Sequence, residues 1–410
     1  MKVLMFGWEF PPFNSGGLGT ACLGLTRALA RAGHEITFVL PKQLDIEADY
    51  MDVLFAEVPG LAVKTVNSPL AGYLTDDRYR VLMDSLPAEM SRLYGHDLYE
   101  ETRRYAEKAH AIALTVEHDV IHCHDWLSFP AGLAAKAASG RPLVSHVHAT
   151  EFDRSADGGV NRLVYESERA GMHGSDTVVA VSNYTKGKLI RHYGIDADKI
   201  NVVHNGVDPR DTAIVPRSKL NDHYKIVLFL GRITVQKGPD WFMKTAKQVL
   251  QRDRNVLFIV AGAGDMERSV IMDAAALGIA DRVIFTGFRR GDDVDRLYAM
   301  ADLYVLPSVS EPFGITALEA LQHRTPVIVS KQSGVAEVLP DAIQVDFWDT
   351  AKMADEILRV LSRRGSARAL GVKQSLALPQ VTWDAAAVKL SEVYADLITV
   401  PAPAHALATI

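Results

Sequence analysis

The sequence predicts an α/β protein built from two doubly wound domains, each with a parallel sheet between layers of helices. Short β-branched apolar runs alternate with helical patterns along the chain, as buried parallel strands alternate with crossover helices. The alternation lapses between residues 205 and 224 and resumes at Lys225. A chain of 410 residues also exceeds the usual size of a single hydrophobic core. We therefore expect an N-terminal domain at 1–205 and a C-terminal domain at 206–380, facing each other across a cleft.

Ten apolar runs are predicted to be strands, five in each domain. Ligands of doubly wound folds bind outside the carboxyl ends of the parallel strands, so residues that follow these runs are the candidate site. The runs are 2–7, 35–40, 119–123, 142–147 and 177–181 in the N-terminal domain, and 225–230, 256–261, 283–286, 303–306 and 326–329 in the C-terminal domain.

The helices between these strands are placed by their apolar stripes. The first helix ends at Gly33 and has a stripe of one residue per turn, formed by Leu18, Cys22, Leu25 and Leu29. Residues 67–112 are helical and polar, and we expect them to form an insertion beside the cleft. A last helix at 381–398 is expected to pack back on the N-terminal domain, and the Ala- and Pro-rich residues 399–410 to form a flexible tail.

Composition narrows the class of protein. The net charge of −6 argues against a nucleic-acid-binding protein that works through a broad basic surface. The chain starts with a strand-like run instead of a signal peptide, and it contains no apolar stretch of about 18 residues, so we expect a cytoplasmic protein. Cys22 and Cys123 are expected to be small buried hydrophobic residues without a disulfide.

The segment 310–320 places two carboxylates, Glu311 and Glu319, around a predicted helix start. Pro312 is expected at the first helical position, so that nearby backbone amides point toward a ligand. Continuous helix would separate the carboxylates by about 12 Å. Glycosidase carboxyl pairs stand about 5 to 9.5 Å apart, so this spacing suits two ends of one long polar ligand better. The alternative is a helix-start carboxylate and an ordinary exposed glutamate.

Glycines and cations follow several other predicted strands. Gly16 and Gly17 precede a helix, where a phosphate can approach backbone amides. Arg232 and Lys237 lie five residues apart in the loop after the strand at 225–230, and together they could hold a diphosphate. Gly262 follows the next strand. Each of these motifs alone is also compatible with a structural turn or a solvated loop.

Two pairs of histidines end strands of the first half: His122 with His124, and His146 with His148. Alternation along a strand places both members of a pair on one face. They could be metal ligands. No third element with a definite ligand spacing accompanies them, so we expect contacts with sugar hydroxyls and no metal.

Taken in order, these motifs resemble the retaining glycosyltransferases of family 4, which have the GT-B fold. The similarity extends from residue 1 to about 395. It rests on the 16–17 glycines, His148, the Asn-Gly-Val-Asp run at 205–208, the loop 231–238 and the Glu311 and Glu319 pair. The first half is also similar to the glycogen and starch synthases of family 5, through Trp8-Glu9, Gly-Gly-Leu-Gly at 16–19 and His-Asp-Trp at 124–126.

The resemblance implies a role for each matching residue. Glu311 would hold the donor sugar's hydroxyls, and Glu319 the nucleotide ribose. Arg232 and Lys237 would neutralise the departing diphosphate, and His148 would lie beside the anomeric carbon. The catalytic set is then His148, Arg232, Lys237 and Glu311. The nucleobase would lie near Phe288 and Arg289, and the acceptor near Asp125 and Trp126. Further donor contacts are implied for Gly16, Gly17, Asn205, Gly231, Gly262, Phe313, Gly314, Ile315, Thr316 and Glu319.

The implied activity is metal-independent transfer of a hexose, glucose first, from a nucleoside diphosphate sugar to a hydroxyl acceptor such as an α-glucan. No cofactor is expected. Asn14 stands where family 5 has a lysine, which leaves UDP-glucose and ADP-glucose both open as donors. Three alternatives remain: a sugar-nucleotide epimerase, a sugar-binding protein that has lost catalysis, and a transferase that acts on a lipid-linked acceptor through the basic run at 186–191. The acceptor, the hexose, the linkage and the oligomeric state stay undetermined.

Overall fold

The computed structural model describes residues 1–12, 16–42, 46, 48–56, 98–156, 158–209, 223–362 and 365–399. Within them the chain forms two parallel sheets with helices on both faces. This confirms the predicted α/β class with two doubly wound domains.

The N-terminal sheet has seven described strands in the order β3-β2-β1-β4-β5-β6-β7, and every pairing in it is parallel. β1, β4, β5 and β6 lie in its middle and are almost completely buried, as their continuous apolar runs require. The strands are β1 (Lys2–Phe6), β2 (Glu35–Leu40), β3 (Asp52–Phe55), β4 (Val120–His124), β5 (Leu143–Val147), β6 (Thr177–Ala180) and β7 (Ile200–Val202). The helices that cover them are α1 (Gly17–Arg31), α2 (Leu98–Thr115), α3 (Phe129–Ser139), α4 (Glu151–Arg154), α5 (Arg162–Gly174) and α6 (Asn183–Tyr193).

The C-terminal sheet has six described strands in the order β10-β9-β8-β11-β12-β13, again all parallel. Its strands are β8 (Lys225–Leu230), β9 (Val256–Ala261), β10 (Val283–Gly287), β11 (Leu303–Leu306), β12 (Val327–Ser330) and β13 (Ile343–Val345). Its helices are α7 (Pro239–Leu250), α8 (Glu267–Ala276), α9 (Asp292–Met300), α10 (Ile315–Gln322), α11 (Thr350–Leu361) and α12 (Ser366–Ser375), followed by α13 (Trp383–Thr399). None of the helices in the described part of the chain has both the length and the apolar character needed to cross a membrane.

Each of the ten predicted runs corresponds to a strand, and the structure adds three that the sequence did not indicate. β3, β7 and β13 are edge strands of three to four residues. β7 and β13 each have a polar residue, Asn201 or Gln344, between two apolar ones, and β3 has only three apolar residues after Asp52, so these short strands give a weaker signal than the longer apolar runs.

For residues 98–112, α2 corrects the prediction of an insertion at 67–112. Residues 57–97 lie outside the described part, but α2 itself is a core crossover helix that leads into β4. Its Tyr105 is completely buried and donates hydrogen bonds to the carbonyl oxygens of Val39 (2.7 Å) and Gly7 (3.0 Å). Although charged residues surround it in the sequence, Tyr105 thus belongs to the core, since its hydroxyl bonds to carbonyl oxygens at the ends of β1 and β2.

The start of α10 was also predicted wrongly. The helix begins at Ile315, and Gly314 before it has a φ of 108°, outside the helical region. Glu311 lies in an extended stretch, where its amide donates to the carbonyl of Gln332 at 2.8 Å. Glu311 and Glu319 therefore do not share one helix, and the rise-based separation of about 12 Å has no basis.

α13 crosses from the C-terminal domain to pack against α1 of the N-terminal domain. Trp383 fits over Gly24, where a Cβ atom would lie 2.2 Å from the indole ring. Arg31 of α1 pairs with Asp384 at 2.6 Å, and His34 contacts the Ser391 hydroxyl at 2.8 Å. The chain's last described helix thus connects the two domains a second time.

We expect Gly24→Ala to destabilise the protein by about 1–3 kcal/mol, because the new methyl overlaps the Trp383 ring inside a packed contact. Gly187→Ala in α6 is the matched control: its Cβ would meet no atom within 4 Å, so better helix propensity should make it neutral or slightly stabilising. Urea unfolding of both variants measures the difference. Equal stabilities would show that α13 does not pack on α1 as described.

Candidate active site

A buried ion pair stands at the carboxyl edge of the C-terminal sheet. Lys237 ends the single turn Val235–Lys237 after β8, and its Nζ lies 2.5 Å from Oε2 of Glu311, a residue that is 5% exposed. The Ser308 hydroxyl donates to the same oxygen at 2.9 Å. The local turn requires Gly238, with a φ of 65°, because a Cβ there would lie 2.2 Å from the carbonyl oxygen of Pro307. Loops after two adjacent strands, β8 and β11, thus bring the cation and the carboxylate together.

Gln236 connects the other predicted cation to this pair. Arg232 Nη2 donates to the Gln236 side-chain oxygen at 2.9 Å. The Gln236 carbonyl in turn accepts from the amide of Val309 at 2.9 Å. Gln236 is 3% exposed, so these bonds are sheltered from water. The 232–237 loop and the 308–311 segment consequently form one hydrogen-bonded unit with two cations and one carboxylate.

The floor next to this unit is made of glycine backbone. Gly231 and Gly262 follow β8 and β9, with φ values of 157° and 147°. A Cβ on Gly262 would lie 1.8 Å from the carbonyl oxygen of Gly231, so only glycine fits there. Two adjacent strand ends therefore present backbone, free of side chains, to the cleft.

α10 and the segment just before it contain the next group of predicted donor contacts. The Tyr298 hydroxyl donates to Oε2 of Glu319 at 2.9 Å. The Tyr304 hydroxyl lies 2.8 Å from the hydroxyl oxygen of Thr316. Phe313 is only 2% exposed, so any ligand contact at Phe313 falls to its backbone. Ile315, the first residue of α10, is half-buried.

The loop after β10 reaches across to the N-terminal domain. Phe288 is 51% exposed and Arg289 is exposed as well. Arg290 lies over the Phe288 ring at 5.0 Å and donates to the carbonyl oxygen of Pro12 at 3.3 Å. Gly287, just before Phe288, accepts a hydrogen bond from the amide of Gly262 at 3.0 Å, so this exposed aromatic residue follows a strand end that contacts the glycine floor.

The N-terminal domain contributes His148 at the end of β5. The His148 amide donates to Oδ1 of Asp125 at 2.7 Å, and its ring Nε2 lies 3.0 Å from Nδ1 of His124. Asp125 itself has a φ of 57°, an uncommon conformation for a residue other than glycine. Its carboxylate thus holds the backbone that carries His148.

The acceptor contacts predicted for Asp125 and Trp126 are not supported by this arrangement. Both residues are 4% exposed. Asp125 is occupied by backbone amides, and Trp126 packs in the core with its ring 5.7 Å from that of Tyr99. A polar side chain that follows a strand can bind the backbone of a neighbouring loop or a substrate. The sequence alone does not distinguish these two roles.

The remaining predicted positions belong to the N-terminal domain. Gly16 caps α1, and the exposed Gly17 faces open space. Asn205 is 7% exposed, and next to it a Cβ on Gly206 would lie 2.2 Å from the backbone of Thr382. Asn14 lies outside the described residues.

Comparison with known proteins identifies the family. The model for Glycosyltransferase Family 4 matches residues 15–211, and that for Glycosyl transferases group 1 matches residues 211–374. A glycosyltransferase of Methanocaldococcus jannaschii is 33% identical over 89% of this chain and 90% of its own length. The chain is a family 4 glycosyltransferase with the GT-B fold.

Other relatives of this glycosyltransferase have named activities. The D-inositol 3-phosphate glycosyltransferase of Salinispora tropica is 29% identical, covering 94% of this chain and 82% of its own. A glycogen synthase of Mycobacterium tuberculosis is 25% identical, covering 96% and 94%. The solved sucrose-phosphate synthase of Thermosynechococcus elongatus has the same fold, with a TM-score of 0.76 and 20% identity over 97% of this chain and 98% of its own.

Several groups in this glycosyltransferase's site were not predicted. Ser308 and Gln236 hold the Lys237 and Glu311 pair, and Tyr298 holds Glu319. Gln236 could have been suspected from its place between the two cations. Tyr298 carries no sequence signal, since it comes from α9, and Ser308 lies only three residues before Glu311 but looks like any other loop serine in the sequence.

A metal centre is the open alternative for the histidines. His122, His124 and His146 each offer a ring nitrogen within 4.8 Å of the others. Both His122 nitrogens, however, already face partners: the Tyr394 hydroxyl at 2.6 Å and His146 Nδ1 at 3.2 Å. An ion would have to replace these bonds. The histidines form an array on one face of β4 and β5 in which both nitrogens of His122 are hydrogen-bonded, while Nε2 of His124 and of His146 has no hydrogen-bond partner among the described residues.

Burial keeps this array uncharged. It lowers the pKa of His122 and of His148 to about 3, and that of His124 and His146 well below the usual value. Burial likewise raises the pKa of Asp125 to about 7, against the opposing charge of Arg154. At neutral pH the imidazole of His148 is thus a neutral hydrogen-bonding group.

The array predicts the acid stability of the enzyme. Below about pH 6.5 the unfolded chain binds protons on these histidines while the folded chain does not, so the free energy of unfolding should fall as pH drops from 6.5 toward 3. His146→Gln removes one such proton and should reduce the slope by up to about 1.4 kcal/mol per pH unit. Urea unfolding at pH 5, 6 and 7 measures the slope.

His110→Gln provides the control, because His110 is exposed on α2. The contribution of Asp125 has the opposite sign, since its raised pKa favours the folded state at low pH, but it is common to both variants and cancels in their comparison. Identical slopes for His146→Gln and wild type would mean that the array is solvated.

Proposed function

We propose that this glycosyltransferase moves a hexose, glucose first, from a nucleoside diphosphate sugar to a hydroxyl acceptor, with retention of anomeric configuration and without a metal. The observation that carries the proposal is the buried pair of Lys237 and Glu311, joined through Gln236 to Arg232. It combines the two charges that such a donor needs: cations for the diphosphate and a carboxylate for the sugar.

The cations account for departure of the diphosphate. Negative charge grows on the leaving phosphate as the glycosidic bond breaks, and preorganised cations in a sheltered site stabilise it strongly. Lys237, with its side chain 16% exposed, and Arg232 would supply this charge in the position that a divalent ion takes in other enzymes. The glycine floor at Gly231 and Gly262 allows the phosphates to approach the backbone.

The carboxylate of Glu311 is better suited to binding than to attack. Its Oε2 accepts from Lys237 and Ser308, which lowers the nucleophilicity of the group and leaves Oε1 for sugar hydroxyls. A protein nucleophile is also unnecessary where the acceptor attacks from the leaving-group face and the departing phosphate accepts its proton. Neutral His148 would donate or accept a hydrogen bond at the sugar.

The donor and acceptor are proposed from the relatives. UDP-glucose or ADP-glucose is the first donor to test. An α-glucan is the first acceptor, because the chain matches a glycogen synthase over nearly its full length. Inositol phosphate is the second, after the D-inositol 3-phosphate glycosyltransferases. We further propose that the enzyme acts in the cytoplasm.

We expect Glu311→Gln and Lys237→Met each to reduce transfer by a factor of about 100 or more, since each removes a charge that stabilises the transition state. Initial rates of nucleoside diphosphate release in the presence of acceptor measure this loss. Because Lys237→Met leaves the Glu311 carboxylate buried and unpaired, circular dichroism and a melting curve must accompany it.

The matched control is Lys244→Ala, which removes an exposed lysine of α7 that pairs with Asp240. It should retain near wild-type rates. Near-normal transfer by well-folded Glu311→Gln would refute the proposed role of the pair.

A donor and acceptor screen separates the proposal from its alternatives. UDP-, ADP- and GDP-glucose are incubated with glycogen, sucrose precursors, inositol phosphate or lipid-linked acceptors. Conversion of the sugar without nucleoside diphosphate release indicates an epimerase instead, and binding without turnover a sugar-binding protein. Flotation with liposomes tests the basic run at 186–191, and transfer only to a lipid acceptor together with flotation would replace the α-glucan proposal.

A further inference from the structure

The segment that carries Glu311 is held from the opposite domain by a buried polar cluster, defined here as Asp153, Lys188 and Ser310. The Ser310 hydroxyl donates to Oδ1 of Asp153 at 2.5 Å and accepts from Lys188 Nζ at 2.8 Å. Lys188 Nζ also lies 3.0 Å from Asp153 Oδ1. All three residues are buried, with relative exposures of 0%, 8% and 3% respectively. Asp153 and Lys188 belong to the N-terminal domain, whereas Ser310 directly precedes the sugar-side carboxylate.

The N-terminal side of the cluster is rigidly built. Asp153 closes the capping box of α4, where its Oδ2 accepts from the amide and the hydroxyl of Thr150, each at 2.8 Å. Thr150 lies two residues beyond His148. Burial opposes ionisation of Asp153, but the charge of Lys188 and the Ser310 hydroxyl outweigh it, and the pKa of Asp153 is lowered. The carboxylate is therefore charged, oriented and fixed to the strand end that carries His148.

The C-terminal side transmits this position to the donor site. The Ser310 amide lies 3.4 Å from the Gln236 carbonyl, within the unit that contains Arg232 and Lys237. Two residues further on, the carbonyl oxygen of Pro312 accepts a hydrogen bond at 2.6 Å from the hydroxyl of Ser182, the residue that precedes α6. Gly334 closes the contact, since a Cβ there would lie 2.2 Å from the Pro312 oxygen. The N-terminal domain thus binds the residues on both sides of Glu311 through hydrogen bonds, at Ser310 and at Pro312.

We infer that Asp153 and Lys188 are positioning residues for donor-sugar recognition, which act through Ser310 to orient Glu311 only when the two domains are docked. The inference rests on the proposed transfer from a nucleoside diphosphate sugar. Neither residue needs to touch the donor. A displacement of Glu311 by about 1 Å would lower the rate on the order of 100-fold. Loss of the contacts at Ser310 could therefore have a large effect on the rate.

Ser310→Ala and Asp153→Asn test this. Each should lower kcat/KM for the nucleotide sugar by about 10- to 100-fold, while the affinity for UDP or ADP alone, measured by calorimetry, changes less than about twofold. A residue with a merely structural role would weaken both ligands together. Lys188→Arg should restore part of the activity that Lys188→Met loses, since it keeps the charge beside Asp153.

Lys186→Met is the matched control, because Lys186 lies on the same helix and binds the carbonyl of Ile200 instead of the cluster. Its kinetics should equal wild type. Since Lys188→Met leaves a buried carboxylate unpaired, the double variant Asp153→Asn with Lys188→Met provides a neutral version if the single variant does not fold.

A double-mutant cycle decides whether the effect passes through Ser310. Asp153→Asn should cost less than about threefold in the Ser310→Ala background. An undiminished cost there, or equal loss of UDP and nucleotide-sugar affinity, overturns the inference. Absence of transfer by the wild-type enzyme with every donor would instead count against the proposed function, so the two failures are distinguishable.

Discussion

The buried pair of Lys237 and Glu311 is the interaction on which the proposed donor site depends. Two charges with exposures of 16% and 6% at their side chains are stable only when each satisfies the other and hydrogen bonds complete the shell. Ser308 supplies one such bond, and Gln236 joins the two loops that carry the charges. Positive-φ glycines at 231, 238 and 262 let these loops approach so closely. Holding this pair thus accounts for the glycines and the buried polar groups at the carboxyl edge of the C-terminal sheet.

The need to hold Glu311 in place also involves the N-terminal domain. Glu311 lies in an extended segment with little regular structure of its own, so its position must be fixed from outside. α6 and α4 of the N-terminal domain do this at Ser310 and Pro312, while Glu337 accepts hydrogen bonds from the amides of Asn183 (2.9 Å) and Tyr184 (2.7 Å) nearby. α13 fastens the domains at the far side through Trp383. The two domains are thus attached to each other in two separate places, at α4 and α6 and at α13.

The sequence predicted the fold well because central parallel strands are buried on both faces, and strands buried on both faces consist of continuous apolar runs. It missed β3, β7 and β13, since each has only three or four residues. It also misplaced the start of α10, because Pro312 suits a first helical turn while only coordinates show the φ of Gly314. Of the site, the motifs located Lys237, Arg232 and Glu311 at one sheet edge. They could not distinguish Asp125, which holds a backbone, from a substrate contact, and they gave no sign of Ser310, whose partners lie 122 and 157 residues away.

The two halves of the cleft differ in a way that suits the proposed chemistry. The C-terminal side is charged, whereas the histidine array of the N-terminal side is neutral because burial lowers each pKa. Glycosyl transfer develops positive charge on the sugar ring and negative charge on the departing phosphate. Cations beside the phosphate favour this separation, but a cationic imidazole beside the ring would oppose it. Packing four imidazoles against each other on β4 and β5 keeps His148 uncharged, so in the proposed reaction it would offer the sugar a polar contact without adding a charge.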